Sequence, residues 1–120
     1  MSLEACHPAL GIFDVVLATS FYLQWLRFQL DWEHRPENGG PSIMEVSRDL
    51  AVLHLTEHYG ADHRVHVFIG IDDLEELHQE ISERPNHNMR PGIETAAWRE
   101  EFMSVIDPFG NRLALIQQSS

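Results

Sequence analysis

A pattern that occurs once in each half of the chain constrains the fold more than any other feature of the sequence. Gly11-Ile12-Phe13-Asp14 in the first half matches Ile69-Gly70-Ile71-Asp72 in the second. In each half a strand-like stretch leads through an aspartate into an amphipathic helix, and three short strand-like stretches follow. The last of these also correspond, residues 52–56 to residues 112–116. The sequence therefore predicts an α+β fold with two βαβββ modules in tandem.

The boundaries of these elements follow from periodicity and turn residues. Helices are predicted over 15–28 and 73–84, with Asp14 and Asp72 as N-caps, because a short carboxylate accepts hydrogen bonds from the free N–H groups of a first turn. Pro, Gly, Asn and Asp mark the turns between the strands. The predicted strands cover residues 7–12, 29–33, 42–47, 51–57, 65–71, 88–90, 101–106 and 111–117. Module one spans about 1–58 and module two about 64–118, within one predicted domain, residues 1–120.

Charge and composition restrict the classes of partner. Nineteen acidic residues against eight arginines, with no lysine, give a formal net charge of -11. This charge repels nucleic-acid phosphates and anionic lipid and suits a cationic small molecule, and the lack of lysine excludes Schiff-base and P-loop chemistry. Cys6 is the only cysteine, and neither a signal peptide nor a bilayer-long apolar run is visible. We therefore expect a cytoplasmic protein that binds neither nucleic acid nor membrane.

The histidine-rich centre of the chain contains a misleading motif. Residues 54–58 spell H-x-x-E-H, the inverted signature of zinc proteases, which requires a helix so that both histidines share one face. The short, turn-bounded segment instead predicts a strand, in which His54 and Glu57 point to opposite faces. The same alternation places His7, His54 and His66 on the sheet face that points away from the helices. The alternate apolar positions are predicted to pack on the helices: Leu10, Ile12, Leu53, Leu55, Val65, Val67, Ile69, Ile71, Leu113 and Leu115.

Three segments resemble the vicinal-oxygen-chelate superfamily, which contains glyoxalase I, ring-cleaving dioxygenases and the bleomycin-resistance binding proteins. They are Ile12-Phe13-Asp14 running to Phe21-Tyr22, Ala97-Trp98-Arg99-Glu100-Glu101-Phe102, and Asp107-Pro108-Phe109-Gly110-Asn111-Arg112-Leu113. W-x-x-x-F followed by D-P-x-G-N is most similar to the bleomycin-resistance branch. The resemblance implies a cupped mixed sheet and a homodimer with clefts between modules. Two departures are Arg27, where the family usually has Gly, and Ala96-Ala97, where Pro and a following Gly are commoner.

The resemblance also implies a set of metal-binding positions. The metal enzymes of the superfamily carry one ligand on the first and last strand of each module, and these positions fall on His7, His54, His66 and Ala114. Three imidazoles would leave open positions on a Zn, Ni or Fe ion. Ala114 cannot bind metal and stands where a carboxylate is usual. The other histidines are predicted to be solvated turn residues: His34, His58, His63, His78 and His87.

Three functions remain open at the level of sequence. The first is a non-catalytic binding protein, similar to the bleomycin-resistance proteins, that sequesters a cationic aromatic ligand by stacking and charge attraction. Its predicted ligand-binding residues are His54, His66, Phe68, Trp98, Phe102 and Arg112. The second is a metal-dependent lyase, isomerase or dioxygenase, with Glu100 or Glu101 as a possible general base. The third is a scaffold with an unused cleft, because a fold does not imply an activity.

Overall fold

A computed structural model shows one four-stranded mixed sheet in each half of the chain, and it describes residues 1–58, 64–84, 89–98 and 100–118. Module one contains β1 Ala9–Gly11, α1 Val15–Thr19, β2 Gln29–His34, β3 Ile43–Arg48 and β4 Ala51–Thr56. Module two contains β5 His66–Ile71, α2 Leu74–Ser82, β6 Glu94–Thr95, β7 Glu101–Ile106 and β8 Arg112–Gln117. The predicted α+β fold with two βαβββ modules is therefore confirmed.

The two sheets have the same topology and the same register. Their strand orders are β1-β4-β3-β2 and β5-β8-β7-β6. The first and last strands of each module pair in parallel, and the other pairs are antiparallel. Ala9 is opposite His54 in module one, and Phe68 is opposite Ala114 in module two. Residues of the central strands β3 and β4 therefore have identifiable counterparts on β7 and β8.

The alternation predicted for the strands is also observed. Leucines 53, 55, 113 and 115 are buried, as are Leu10 and Ile12, whereas Val67, Ile69 and Ile71 of β5 are half-buried. On the opposite face His54 is half-buried and His66 is exposed. No helix in the described part of the chain has the length and apolar character needed to cross a membrane.

The first helix differs from its prediction. Asp14 caps it as expected, accepting a hydrogen bond from Leu17 N at 3.0 Å, but the α-helical part ends at Thr19. A π-helical segment, Ser20–Trp25, continues it and carries three buried aromatic side chains, Phe21, Tyr22 and Trp25. The helix ends before Arg27, whose φ of 61° lies in the left-handed region that favours glycine. The arginine that departs from the family pattern thus occupies a strained backbone position.

Two further predictions were wrong in module two. The N-cap of α2 is Asp73 rather than Asp72, because Asp73 Oδ1 accepts from Glu76 N at 3.1 Å. The short strand is Glu94–Thr95 rather than 88–90, because these two residues pair with Phe102 and Glu101 on β7. Asn88 and the predicted junction around 59–63 lie outside the described residues.

Buried polar contacts join the modules through the Asp107 turn. Tyr22 on the first helix donates its hydroxyl to Asp107 Oδ2 at 2.6 Å. Asn111 Nδ2 donates to the same oxygen at 2.9 Å and to the carbonyl of Gly11 at 3.0 Å. Burial raises the pKa of Tyr22 well above its usual value of 10.0, and the Asp107 carboxylate raises this pKa further. The network therefore holds a neutral tyrosine against a buried carboxylate.

Candidate functional site

The sheet face of module one that points away from the helices brings three possible metal ligands together. His54 on β4 lies opposite Glu45 on β3, because the tight turn between these strands sets their register. His7 approaches from the segment before β1, which is held in place by a hydrogen bond from His54 N to the carbonyl of Pro8 (2.9 Å). In the described part of the chain, no other set of three His, Cys, Asp or Glu side chains has its ligand atoms within 4.8 Å of one another.

One carboxylate oxygen of Glu45 lies close to both imidazoles. It is 3.1 Å from His54 Nε2 and 3.6 Å from His7 Nδ1. The ring of Trp32, which is opposite Glu45 on β2, lies 5.5 Å from the His54 ring. Two imidazoles and one carboxylate are a donor set that suits Zn, Fe or Ni and leaves open positions on the ion. The residues present therefore fit the kind of metal that the resemblance implies.

His66 is not part of this cluster. It lies two residues before Phe68, as His7 lies two residues before Ala9, and it is exposed on the other sheet. Ala114, the counterpart of His54, offers no ligand atom. The structure therefore brings together two of the three predicted histidines, and the role of His66 as a ligand stays a prediction.

A groove of about 830 Å³ runs between the two modules. Its floor is apolar and includes Phe28 and Leu53 from module one and Val67, Ile69 and Leu77 from module two. Its charged lining consists of five acids and one base: Asp49, Asp72, Asp73, Glu76, Glu80 and Arg48. These six charged residues, called the acidic rim below, border the apolar floor. An apolar surface beside acidic groups suits a ligand with a flat apolar body and a positive charge.

The single base of the rim is already paired. Arg48 donates to both oxygens of Glu80 on α2, at 2.8 and 2.9 Å, and Arg84 donates to the same carboxylate at 2.6 Å. Hydrogen bonding to Arg48 lowers the pKa of Glu80, and the same contact raises the pKa of Arg48. The other four rim carboxylates form no ion pair with any described residue. The rim therefore keeps a negative charge that is available to a cation.

Only one of the six predicted ligand-binding residues lines this groove. Phe68 does so, and 71% of its surface is exposed. The other five lie elsewhere: His54 in the metal-ligand cluster, His66 and Arg112 as an exposed cross-strand pair, Phe102 half-buried on β7, and Trp98 exposed before β7. Their part in binding stays a prediction.

Sequence reasoning missed Glu45 and the acidic rim. Counting back from the predicted turn at residues 48–49 would place Glu45 opposite Val52, whereas the observed turn at Asp49 and Leu50 places it opposite His54. The rim had no local signal either. Asp49 and Glu76 are far apart in the sequence, and only the packing of the modules brings them to one groove.

The remaining candidate residues divide into three groups. His34 and His58 are exposed, as are Glu100 and Glu101, but His34 is the last residue of β2 and not a turn residue. His78 was predicted to be a solvated turn residue, but it lies half-buried on α2 with Nε2 3.1 Å from the carbonyl of Pro91. His63 and His87 lie outside the described residues.

Comparisons with known proteins agree with this architecture. A family model described as "Glyoxalase superfamily protein" matches residues 1–120. No curated protein matches the chain by sequence.

Several solved structures share the fold. A bleomycin-binding protein complexed with bleomycin is 24% identical, with a TM-score of 0.74 over 98% of this chain and 100% of that one. The bleomycin-binding protein of Streptomyces verticillus, complexed with copper(II)-bleomycin, is 21% identical, with a TM-score of 0.71 over 99% of both chains. An antibiotic-binding protein from a Streptomyces strain is 19% identical, with a TM-score of 0.72 over 99% of both. At these identities the likeness concerns the fold.

Proposed function

This chain belongs to the glyoxalase superfamily, and we propose that it is a non-catalytic binding protein that sequesters a flat, cationic aromatic ligand in the groove between its modules. The observation that carries the proposal is the acidic rim over an apolar floor. A net charge of -11 adds long-range attraction for a cation. Sequestration of a toxic ligand of this kind would confer resistance to it.

The groove supplies both attractions that such a ligand needs. Phe68 contributes to the lining of the groove and is 71% exposed, and a ring face attracts a cation by about 0.5–2 kcal/mol. Asp49 and Glu76 line the groove from different modules and form no direct ion pair with a described basic group, although their charges also act on Arg48. A bleomycin-type ligand is the suitable first probe, because structures with this fold include bleomycin-binding proteins.

Isothermal calorimetry with bleomycin tests this proposal. We expect Phe68→Ala to weaken binding roughly 2- to 30-fold, which corresponds to the loss of one cation–π contact. The double variant Asp49→Asn/Glu76→Gln should weaken binding most at low salt, since salt screens the attraction. Glu37→Gln is the matched control, because it removes an exposed carboxylate that does not line the groove. No heat at about 100 µM ligand, or equal affinities in all variants, would contradict the proposal.

A second candidate function is a metal-dependent lyase, isomerase or dioxygenase, and the cluster of His7, Glu45 and His54 favours it. A bound ion would polarise two neighbouring substrate oxygens as a Lewis acid. Glu100 and Glu101, the predicted general bases, are exposed and lie outside the cluster. Turnover that disappears on chelation and returns with metal would favour this function over simple binding, whereas turnover unaffected by chelation would exclude it.

We also infer a cytoplasmic homodimer. Leu30 and Trp32 on the edge strand β2 remain 44% and 43% exposed, and exposed apolar surface of this kind is typical of protein interfaces. A lone, unpaired cysteine suits a reducing compartment. Light scattering should give twice the chain mass of 13.8 kDa, and a monomer mass at all concentrations would refute the dimer.

A further inference from the structure

We propose that His7, Glu45 and His54 bind one divalent transition-metal ion at a site that lies wholly within module one. The superfamily resemblance implies ligands from both modules, but the structure gathers a different set. Its third ligand is a glutamate on β3, and none of the described residues of module two takes part. The proposal depends neither on the ligand of the groove nor on any catalysed reaction.

The distances from Glu45 to the two imidazoles are close to those that an ion requires. Metal–ligand bonds of about 2.1 Å place two ligand atoms roughly 3.0 Å apart at a right angle and roughly 3.4 Å apart at a tetrahedral angle. Glu45 Oε1 lies 3.1 Å from His54 Nε2 and 3.6 Å from His7 Nδ1. All three ligand atoms lie within 4.8 Å of one another, so the cluster is compact enough to surround one ion.

The backbone holds these side chains in place. His54 and Glu45 are directly opposite each other on paired strands in the interior of the sheet, so their separation is set by the register. The segment of His7 is tied to the same strand, because His54 N donates to the carbonyl of Pro8 and Ala9 is opposite His54. Preorganisation of this kind reduces the cost of binding an ion.

The donor set selects the class of metal. Imidazole nitrogen suits Zn, Fe, Co and Ni, whereas Ca²⁺ and Mg²⁺ require more oxygen ligands than this cluster offers. The three side chains are 35%, 19% and 24% exposed for His7, Glu45 and His54, so an ion can enter from solvent. Three protein ligands also leave at least one coordination position free for water or another ligand.

The matched experiment uses untagged full-length protein, stripped with a chelator and then equilibrated with Zn²⁺ or Co²⁺. We expect one equivalent of metal by elemental analysis after gel filtration. Bound Co²⁺ should also show the visible absorption bands that are typical of an ion with four or five ligands. His54→Ala and Glu45→Gln should each lower the affinity at least roughly tenfold. His66→Ala is the control, because it removes the counterpart of His7 in module two, and it should bind like the unaltered protein.

A second readout comes from Trp32. Its ring lies 5.5 Å from that of His54, so bound Co²⁺ or Ni²⁺ should quench part of the tryptophan fluorescence. This quenching should be lost in Trp32→Phe, although that variant should bind the metal. Less than about a tenth of an equivalent of metal, unchanged affinity in Glu45→Gln, or an equal loss in His66→Ala would each overturn the proposal. In any of these cases the short distances reflect hydrogen bonding between Glu45 and the imidazoles alone.

Discussion

Equivalent positions of the two modules carry different side chains on the sheet face that points away from the helices. In module one the register aligns Ala9, His54 and Glu45, and in module two it aligns Phe68, Ala114 and Ser104. The first row offers nitrogen and oxygen ligands, whereas the second offers an exposed ring beside two small side chains. One backbone pattern thus carries possible metal ligands in one half and an exposed aromatic ring in the other, because the sheet sets positions and the side chains set the chemistry.

A second difference concerns how each module holds the helix of the other. Arg48 and Asp107 occupy equivalent places at or just after the third strand of the sheet. Arg48 pairs with Glu80 on α2, and both side chains remain about a third exposed, at 31% and 32%. Asp107 is buried and binds Tyr22 of the first helix. The two equivalent links therefore differ mainly in their exposure to water. This exposure decides how much each link contributes to the free energy of unfolding.

The largest expected effect comes from breaking the buried link. Asp107→Ala leaves the Tyr22 hydroxyl and the main-chain N–H groups of Phe109 and Asn111 without their acceptor. We expect it to lower the free energy of unfolding by about 3–5 kcal/mol in urea denaturation. Asp72→Ala, an exposed aspartate of the same module, is the control and should stay within about 0.5 kcal/mol. If the two variants lose the same stability, the buried network does not hold the modules together.

Alkaline pH provides a smaller, graded test of the same link. Because folding raises the pKa of Tyr22 above 10.0, this tyrosine binds its proton more tightly in the folded state than in the unfolded state. Its contribution to the free energy of unfolding is complete below pH 10.0. It is lost as the pH rises toward the pKa of the folded state, at about 1.4 kcal/mol per pH unit. The chain has no lysine, so few other groups titrate there.

Tyr22→Phe isolates the contribution of this hydroxyl. The variant should be less stable at neutral pH, because Asp107 loses a donor, but its stability should fall less steeply above pH 10.0. Denaturant unfolding at several pH values measures both slopes. Equal slopes in the variant and the unaltered chain would assign the alkaline loss to other groups.

The smallest effect is expected at the solvent-accessible link. Arg48→Ala should cost about 1 kcal/mol, since ion pairs with this much exposure contribute little and are screened by salt. The cost should shrink at high salt, whereas that of Asp107→Ala should not. A loss for Arg48→Ala as large as that for Asp107→Ala would mean that exposure does not distinguish the two links.

Much of the fold was predictable because it follows from local patterns. Strand alternation identified the packing face, and Asp14 was identified as an N-cap from residue type alone. The errors arose where local preference competes with packing. The first helix continues as a π-helical segment that carries buried Phe21 and Trp25, and β6 lies where its pairing with β7 requires rather than at residues 88–90.

The candidate sites were predictable to different degrees. His7 and His54 followed from the resemblance and from alternation, and the structure brings them together. Glu45 required the exact register of a hairpin, and the predicted turn at residues 48–49 is one residue away from the observed turn at 49–50. The acidic groove was not predictable, because Asp49 and Glu76 belong to different modules and meet only through tertiary packing.

By itself the sequence determined the duplicated module, the faces of its strands and the excess of acidic charge, because these depend on neighbours along the chain. Tertiary structure alone decided that Glu45 joins the two histidines, that His66 stands apart, and that the modules enclose an acidic groove. Each of these depends on distances between residues far apart in the sequence. Strand register and the packing of the modules set those distances, and residue order alone does not express them.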